Sequence, residues 1–346
     1  MHRLHRTLLL TTALTATAIP LTSQAEAIVK IPKESGFSGY LMGGANYSQF
    51  SSNFVAGTSL GDSANAQSDG INNEPSRKSG TNPTFNFDLR YTFGQSQTQI
   101  FVGNLIQNAL QLDFSQQLGV RHQLDGKGIV QAAYIFSGIT NQVWSDPYKT
   151  NGDRDKTDVK KNGAKLGWDR IMGTPWGASV SFVKKELDDE QSGVSQQSAY
   201  GLTSTDLKML DRNGNITSLE GSYNFRLARG QLLTPSLQYS HYDLDGSAMS
   251  GNSYGMQLTH TLMLRKYSLV TNLYAGRTLY DEANPIYDMK ANSNEYLFNT
   301  NLIRRQLFGF QQLNGMITAS WGKSISDISY YNTEIRSVTV GVMYLF

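Results

Sequence analysis

Phe85-Asn86-Phe87-Asp88-Leu89-Arg90-Tyr91-Thr92-Phe93 alternates apolar and polar side chains without a break. A period of two over this length is a strand with one face for an apolar medium and the other for water. The pattern returns at Leu110, Leu112, Phe114, Leu118 and Val120, and again at Leu219, Tyr223, Phe225 and Leu227. Weaker or shorter alternation predicts further strands near 37–50, 97–104, 129–142, 163–172, 176–186, 232–243, 253–265, 267–280, 295–304, 309–321 and 334–346, fourteen in all.

The connections narrow the choice of fold. Gly94-Gln95-Ser96, Asp125-Gly126-Lys127-Gly128, Gly173-Thr174-Pro175, Arg229-Gly230 and Arg265-Lys266 are tight hairpin signals. Between them fall long polar stretches at 51–82, 143–162, 187–214, 244–252, 281–294 and 322–333. Short on one side and long on the other is the asymmetry of a transmembrane antiparallel β-barrel, with short periplasmic turns and long extracellular loops. A soluble sandwich has no reason to alternate in this way. The connection near Leu105 to Asn108 is short where a long one is expected, which leaves twelve strands as an alternative count.

Charge and compartment agree with that fold. Charged residues make up 17% of the chain and the formal balance is +2, with no basic block to hold nucleic acid. Arg3 and Arg6, the apolar stretch Thr7 to Leu21 and Ala25-Glu26-Ala27 have the order of a secretory signal, so 1–27 is expected to be removed and 28–346 to form one outer-membrane domain. With no cysteine, the chain can carry neither a disulfide nor a thiol-linked lipid anchor. After the signal no segment approaches the roughly 18 apolar residues of a membrane-spanning helix. The half-polar strands of a barrel would not show such a run.

Aromatic residues are expected at both lipid interfaces: Phe93, Trp176, Phe225 and Tyr344 at the periplasmic level, and Trp144, Tyr280, Tyr330 and Tyr331 at the outer level. The C-terminal Thr339-Val340-Gly341-Val342-Met343-Tyr344-Leu345-Phe346 resembles the terminal-strand signal that hands bacterial outer-membrane proteins to the barrel-assembly machinery, with Gly341, Tyr344 and Phe346 carrying the pattern. Val338, Val340, Val342, Tyr344 and Phe346 would share one face of that strand. The opening Ile31-Pro32-Lys33-Glu34-Ser35-Gly36-Phe37-Ser38-Gly39-Tyr40, with Asn46-Tyr47-Ser48 and Ser52-Asn53-Phe54, resembles a family of Gram-negative outer-membrane proteins known only as a domain of unknown function. The resemblance implies one barrel in the cell outer membrane, among outer-membrane lipids, and brings no catalytic or binding residues with it.

Site residues must therefore come from the chain itself. Of the histidines after the signal, His122, His241 and His260, only His241 has a serine beside it, and Ser240 and His241 on one strand point to opposite faces. No catalytic residue is assigned. Asp153, Asp155 and Asp158 are interrupted by Arg154 and Lys156, and Asp211-Arg212-Asn213-Gly214-Asn215 has a single acid, so neither matches a calcium loop and no metal or other cofactor is expected. With the apolar parity outward, Asp88, Arg90, Asp113, Arg121, Lys165, Asp169, Glu220, Arg226 and Glu295 are expected to line the lumen. Charges of both signs inside a barrel wide enough for water suggest a porin-like passage for small hydrophilic solutes, narrowed by 51–82 or 187–214. The alternatives are a lipase- or protease-type enzyme at the rim and a loop-based receptor or adhesin.

Overall fold

The computed structural model describes residues 30–58, 61–108 and 113–346, with backbone alone at 61, 106–108 and 113–114. The expected signal segment 1–27 and the strand residues Leu110 and Leu112 lie outside the described residues.

Fourteen long strands follow one another in an antiparallel meander. They are β1 (Gly36–Ser51), β2 (Lys78–Phe93), β3 (Thr98–Asn108), β4 (Asp113–Leu124) and β5 (Gly128–Phe136). Then come β6 (Lys156–Asp169), β7 (Trp176–Leu187), β8 (Gly214–Tyr223), β9 (Gln231–Leu244) and β10 (Gly251–Met263). The last four are β11 (Tyr267–Tyr280), β12 (Ser293–Arg304), β13 (Leu313–Ser326) and β14 (Thr333–Leu345). β1 pairs with β2 along one edge and with β14 along the other, so the sheet closes on itself. Closure satisfies every strand edge internally, which a lipid environment demands. At the closing seam Gly44 lies opposite Gly341, and a Cβ on Gly44 would strike the Val340 carbonyl.

The sequence parity and the observed faces coincide on β2. Thr84, Asn86, Asp88 and Thr92 are buried while Phe93 is exposed, and the other aromatic and leucine side chains of the strand share its outward parity. Val338, Val340, Val342 and Tyr344 are likewise exposed together on β14. With Phe37, Leu166, Phe182 and Leu237 they form an apolar belt around the barrel, which water would not tolerate and lipid requires. No helix among the described residues is long and apolar enough to cross a membrane, and the strands make the crossing. The molecule is an outer-membrane β-barrel with short periplasmic turns.

Several boundaries differ from the sequence reading. β3 and β4 pair as separate strands, which settles the count at fourteen rather than twelve. The strand expected at 129–142 ends at Phe136, because the Gln116 side chain accepts the Gly138 and Ile139 N–H groups and turns the chain aside. Residues 141–144 then form a separate short strand against Val55–Thr58. β6 begins at Lys156, well inside the stretch expected as loop, because polar residues continue the ladder above the apolar belt. β13 starts at Leu313, after a tight turn in which Gln306 and Phe308 both take φ 54°.

Candidate functional site

The predicted inward charges separate into groups. On β2 the Asp88 carboxylate accepts from Arg90 Nε and Nη2 at 2.5 and 2.9 Å, two residues away on the same face. Arg121 on β4 is 1% exposed and lies 3.8 Å from Asp169 on β6, with Gln99 Oε1 at 3.5 Å. Lys165 shares the Asp169 face of β6. Glu220 is half-buried between Ser179 and Gln238 on the neighbouring strands. Arg226 stands apart in the exposed strand Phe225–Ala228 at the periplasmic end. Asp113 opens β4, but its side chain is outside the described residues. Glu295 on β12 is buried near the opposite mouth and accepts from Thr278 Oγ1 at 3.4 Å.

Much of the remaining inner wall is amide and hydroxyl. Thr318 Oγ1 donates to Asn301 Oδ1 at 2.6 Å, and Asn301 Nδ2 to Asn299 Oδ1 at 2.7 Å. Asn299 Nδ2 in turn donates to Ser320 Oγ at 2.8 Å. Thr259 reaches Asn272, which reaches Asn299, and across the seam Thr339 donates to Asn46. Such a linked network offsets the cost of burying polar groups inside the barrel. The inner wall is not uniformly polar. Met42, Met316 and Met343 cluster inward near the periplasmic end, and Leu105, Ile135 and Val183 form a second apolar patch.

At the other end the loops 52–77, 137–155, 188–213, 245–250, 281–292 and 327–332 converge over the mouth. Their core is Tyr148, Leu202, Leu210, Ala248, Ile286, Ala291, Ile328 and Tyr330. Each large side chain buried there contributes about 2 kcal/mol by leaving water. The chain turns inward through specific polar anchors. The Asp146 carboxylate accepts the N–H groups of Tyr148, Gly193 and Ser195, tying 137–155 to 188–213. In 188–213, Thr203 and Asp206 make reciprocal caps at the start of the short helix Ser204–Lys208.

Arg154, which interrupts the aspartates in sequence, fastens two loops. Its guanidinium donates to the carbonyls of Asn53, Asn65, Ala66, Gln67 and Pro147 and stacks over Trp144 at 4.7 Å. Burial lowers its pKa. Arg212 is matched by Glu190 at 2.8 Å and also donates to the carbonyls of Trp144 and Ser145. Burial opposes the charge on Glu190, yet Arg212 outweighs it and holds the carboxyl below its ordinary value.

Tyrosines complete the cap. Tyr148 and Tyr331 share a hydrogen bond of 2.5 Å, and Asn284 Nδ2 donates to both hydroxyls. Tyr330 donates to the Pro147 carbonyl and Tyr287 to that of Ile71. Burial pushes Tyr331 up to about 12 and also raises Tyr148 well above the ordinary tyrosine value. These rings correct the sequence reading of the outer interface. Trp144 and Tyr330 are 0% exposed, and Tyr331 and Tyr280 pack against the cap core. Trp176, by contrast, is 55% exposed at the periplasmic level, where Phe93, Phe225 and Tyr344 are exposed too. Loops 52–77 and 188–213, expected to narrow the lumen, are both parts of the cap.

Beneath the cap lie two adjoining cavities of about 160 and 150 Å³. Both are bordered by Lys161, Lys185, Met249, Tyr280 and Glu295. Lys161 and Lys185 are missing from the sequence-based set for different reasons. Lys161 falls in a stretch read as loop. Lys185 sits where Phe182-Val183-Lys184-Lys185 puts an apolar residue on each face, which blurs the parity.

The other sequence candidates stay apart. Ser240 lines the cavity and bonds Ser218 at 2.8 Å, while His241 bonds Asn252 at 3.0 Å from the opposite face of β9. Asp153, Asp155 and Asp158 engage Gln67, Lys149 and Gln142 respectively. Asp211 accepts from Asn213. Among the described residues no three His, Asp or Glu side chains converge as metal ligands.

Fold and faces together define a fourteen-stranded outer-membrane barrel whose external mouth is covered by its own loops. The chain belongs to the family described as protein of unknown function (DUF2860), whose model matches residues 36–345. No curated protein sequence matches it significantly. Among solved structures it is similar to a Pseudomonas aeruginosa FadL homologue, at 10% identity and TM-score 0.48 over 89% of this chain and 90% of that one. It is also similar to an anion-selective porin from Comamonas acidovorans, at 11% identity and TM-score 0.40 over 90% of this chain and 100% of that one. An outer-membrane channel from Pseudomonas putida F1 matches at 13% identity and TM-score 0.42 over 89% of this chain and 96% of that one.

Proposed function

We propose that this protein is a porin-like channel that passes small hydrophilic solutes without covalent chemistry, and that its loop cap limits entry. The observation that carries the reading is the inner wall. Hydrogen-bonded Asn, Ser and Thr side chains and the pairs Asp88–Arg90 and Arg121–Asp169 run along it. Charges of both signs on an inner face are costly unless they pair or meet water, and in a passage they orient dipolar solutes. Export through segment 1–27 and insertion by the assembly machinery through Gly341, Tyr344 and Phe346 belong to the same proposal.

The cap makes conductance conditional. Solute has to enter past the aromatic core around Tyr148, so the loops must separate for the path to open. Planar-bilayer recording of the purified protein tests this. The intact chain is expected to give brief or small steps, and a variant with 52–77 and 188–213 shortened is expected to give larger, longer ones. Silence from both folded proteins would refute the channel.

A further inference from the structure

The periplasmic connections of this barrel differ in charge from one side of the rim to the other. Residues 94–97 carry none, Asp125 offsets Lys127, and Asp169 precedes Arg170. Residues 224–230, 264–266 and 304–312 hold Arg226, Arg229, Arg265, Lys266, Arg304 and Arg305, with no aspartate or glutamate among them. All of these cations are exposed.

The three basic connections are consecutive around the rim. They join β8 to β9, β10 to β11 and β12 to β13, which are neighbouring strands. The Met263 N–H donates to the Gly230 carbonyl at 2.7 Å, and the Arg305 N–H to that of Lys266 at 2.8 Å, so each connection touches the next. Arg304 stands opposite Tyr267 across the ladder. With neighbouring strands about 4.8 Å apart, the cations occupy an arc of roughly 25 Å.

Apolar side chains are interleaved with the charges. Phe225, Leu227, Met263, Leu264 and Tyr267 are exposed, and Phe308 and Phe310 are 82% and 64% exposed. On the same strands Leu237, Leu258, Leu273 and Leu302 continue outward as the apolar belt. The arc therefore lies where the belt ends, at the level of the lipid headgroups. Aromatic rings favour that layer, and lysine and arginine near it are drawn to anionic lipid. A soluble acidic partner would match the cations alone, whereas a lipid matches cations and rings together.

We propose that the β8 to β13 sector of the periplasmic rim is a binding site for anionic glycerophospholipid in the periplasmic leaflet, with the arginines and Lys266 on the headgroup phosphate. The planar guanidinium suits phosphate oxygens, which it can meet through two parallel N–H donors. The site does not depend on the channel reading, since it lies on the outer rim and needs no open lumen.

Native mass spectrometry of the full barrel, delipidated in non-ionic detergent, tests the site by the lipids it retains. The probes are dioleoylphosphatidylglycerol and dioleoylphosphatidylcholine, which share acyl chains and differ in charge. Each cation near an anionic lipid strengthens attachment about fivefold, so phosphatidylglycerol is expected to bind at least tenfold more tightly than phosphatidylcholine. The combined variant R265Q/K266Q/R304Q/R305Q is expected to bring the two within about twofold, and K127Q/R170Q on the other side of the rim to leave the preference intact. The heat-modifiable gel band reports barrel integrity in each variant. Equal retention of the two lipids by the unaltered barrel would overturn the site, and so would an equal loss in K127Q/R170Q, which would reduce it to overall charge. Complete displacement of phosphatidylglycerol by inorganic phosphate would make it a simple anion site and overturn the lipid assignment. Indifference to lipid charge, with an acidic periplasmic protein lost from the combined variant, would give the arc to a protein partner instead.

Discussion

The two mouths of this barrel are made from the same aromatic residues put to different use. At the periplasmic end the connections are short, and Phe93, Trp176, Phe225 and Tyr344 have no option but to face the lipid interface. At the outer end six loops are long enough to fold back, and Trp144, Tyr148 and Tyr330 become the interior of a small core of their own. One end is shaped by the membrane and the other by tertiary packing. The barrel wall and the cap should accordingly fail independently.

The largest effect is expected from the wall. Deleting Tyr344 to Phe346, or replacing Phe346 by Ser, damages the end of the strand that pairs with β1 and the proposed terminal aromatic signal. Loss of the heat-modifiable species and of nearly all outer-membrane protein is the expected result in fractionation. Wild-type surface levels of the truncated chain would show that the seam tolerates an open end.

A smaller and local effect is expected in the cap. Arg154→Ala strands the carbonyls of Asn53, Asn65 and Pro147 and removes the cation over Trp144. Each carbonyl left buried and unsatisfied costs about 1–3 kcal/mol. Protease cleavage within 52–77 should accelerate by orders of magnitude while the barrel band remains. Collapse of both together would mean that cap and wall are one cooperative unit.

The mildest perturbation is alkali. Tyr331 ionises at about 12 in the folded cap against 10.0 when unburied. A raised folded value means that its contribution is whole below pH 10 and lost as the pH rises to about 12. Tryptophan fluorescence from Trp144 should shift toward the red in that window, and Tyr331→Phe should abolish this component of the shift. An unchanged profile in the Phe variant would show that Tyr331 ionisation does not open the cap.

The same contrast explains which parts of the fold are legible in the sequence. Phe85 to Phe93 shows its fold plainly because lipid on one side and water on the other leave only one permissible parity. β14 is legible for the same reason. Trp144 is not, since an aromatic residue beside a strand end suits an interface and a loop core equally well, and only the anchors at Asp146 and Arg154 decide between them. Those anchors read as ordinary solvated loop charges. Lys161 escaped because polar strand above the membrane belt loses the alternation that marks strand within it. The inward methionines are illegible because a parity defined by apolarity cannot detect an apolar residue facing in.

The seam between β1 and β14 carries one more consequence. Its partners, such as Asn46 and Thr339, lie almost a whole chain length apart, so no fragment released partway through synthesis contains both sides of the joint. Loop-closure entropy for that contact is met only at the end, when every intervening hairpin has already shortened the gap. Completion is thereby a single terminal event. A stalled or clipped polypeptide presents an open edge and is recognisable as unfinished, whichever strand it lacks.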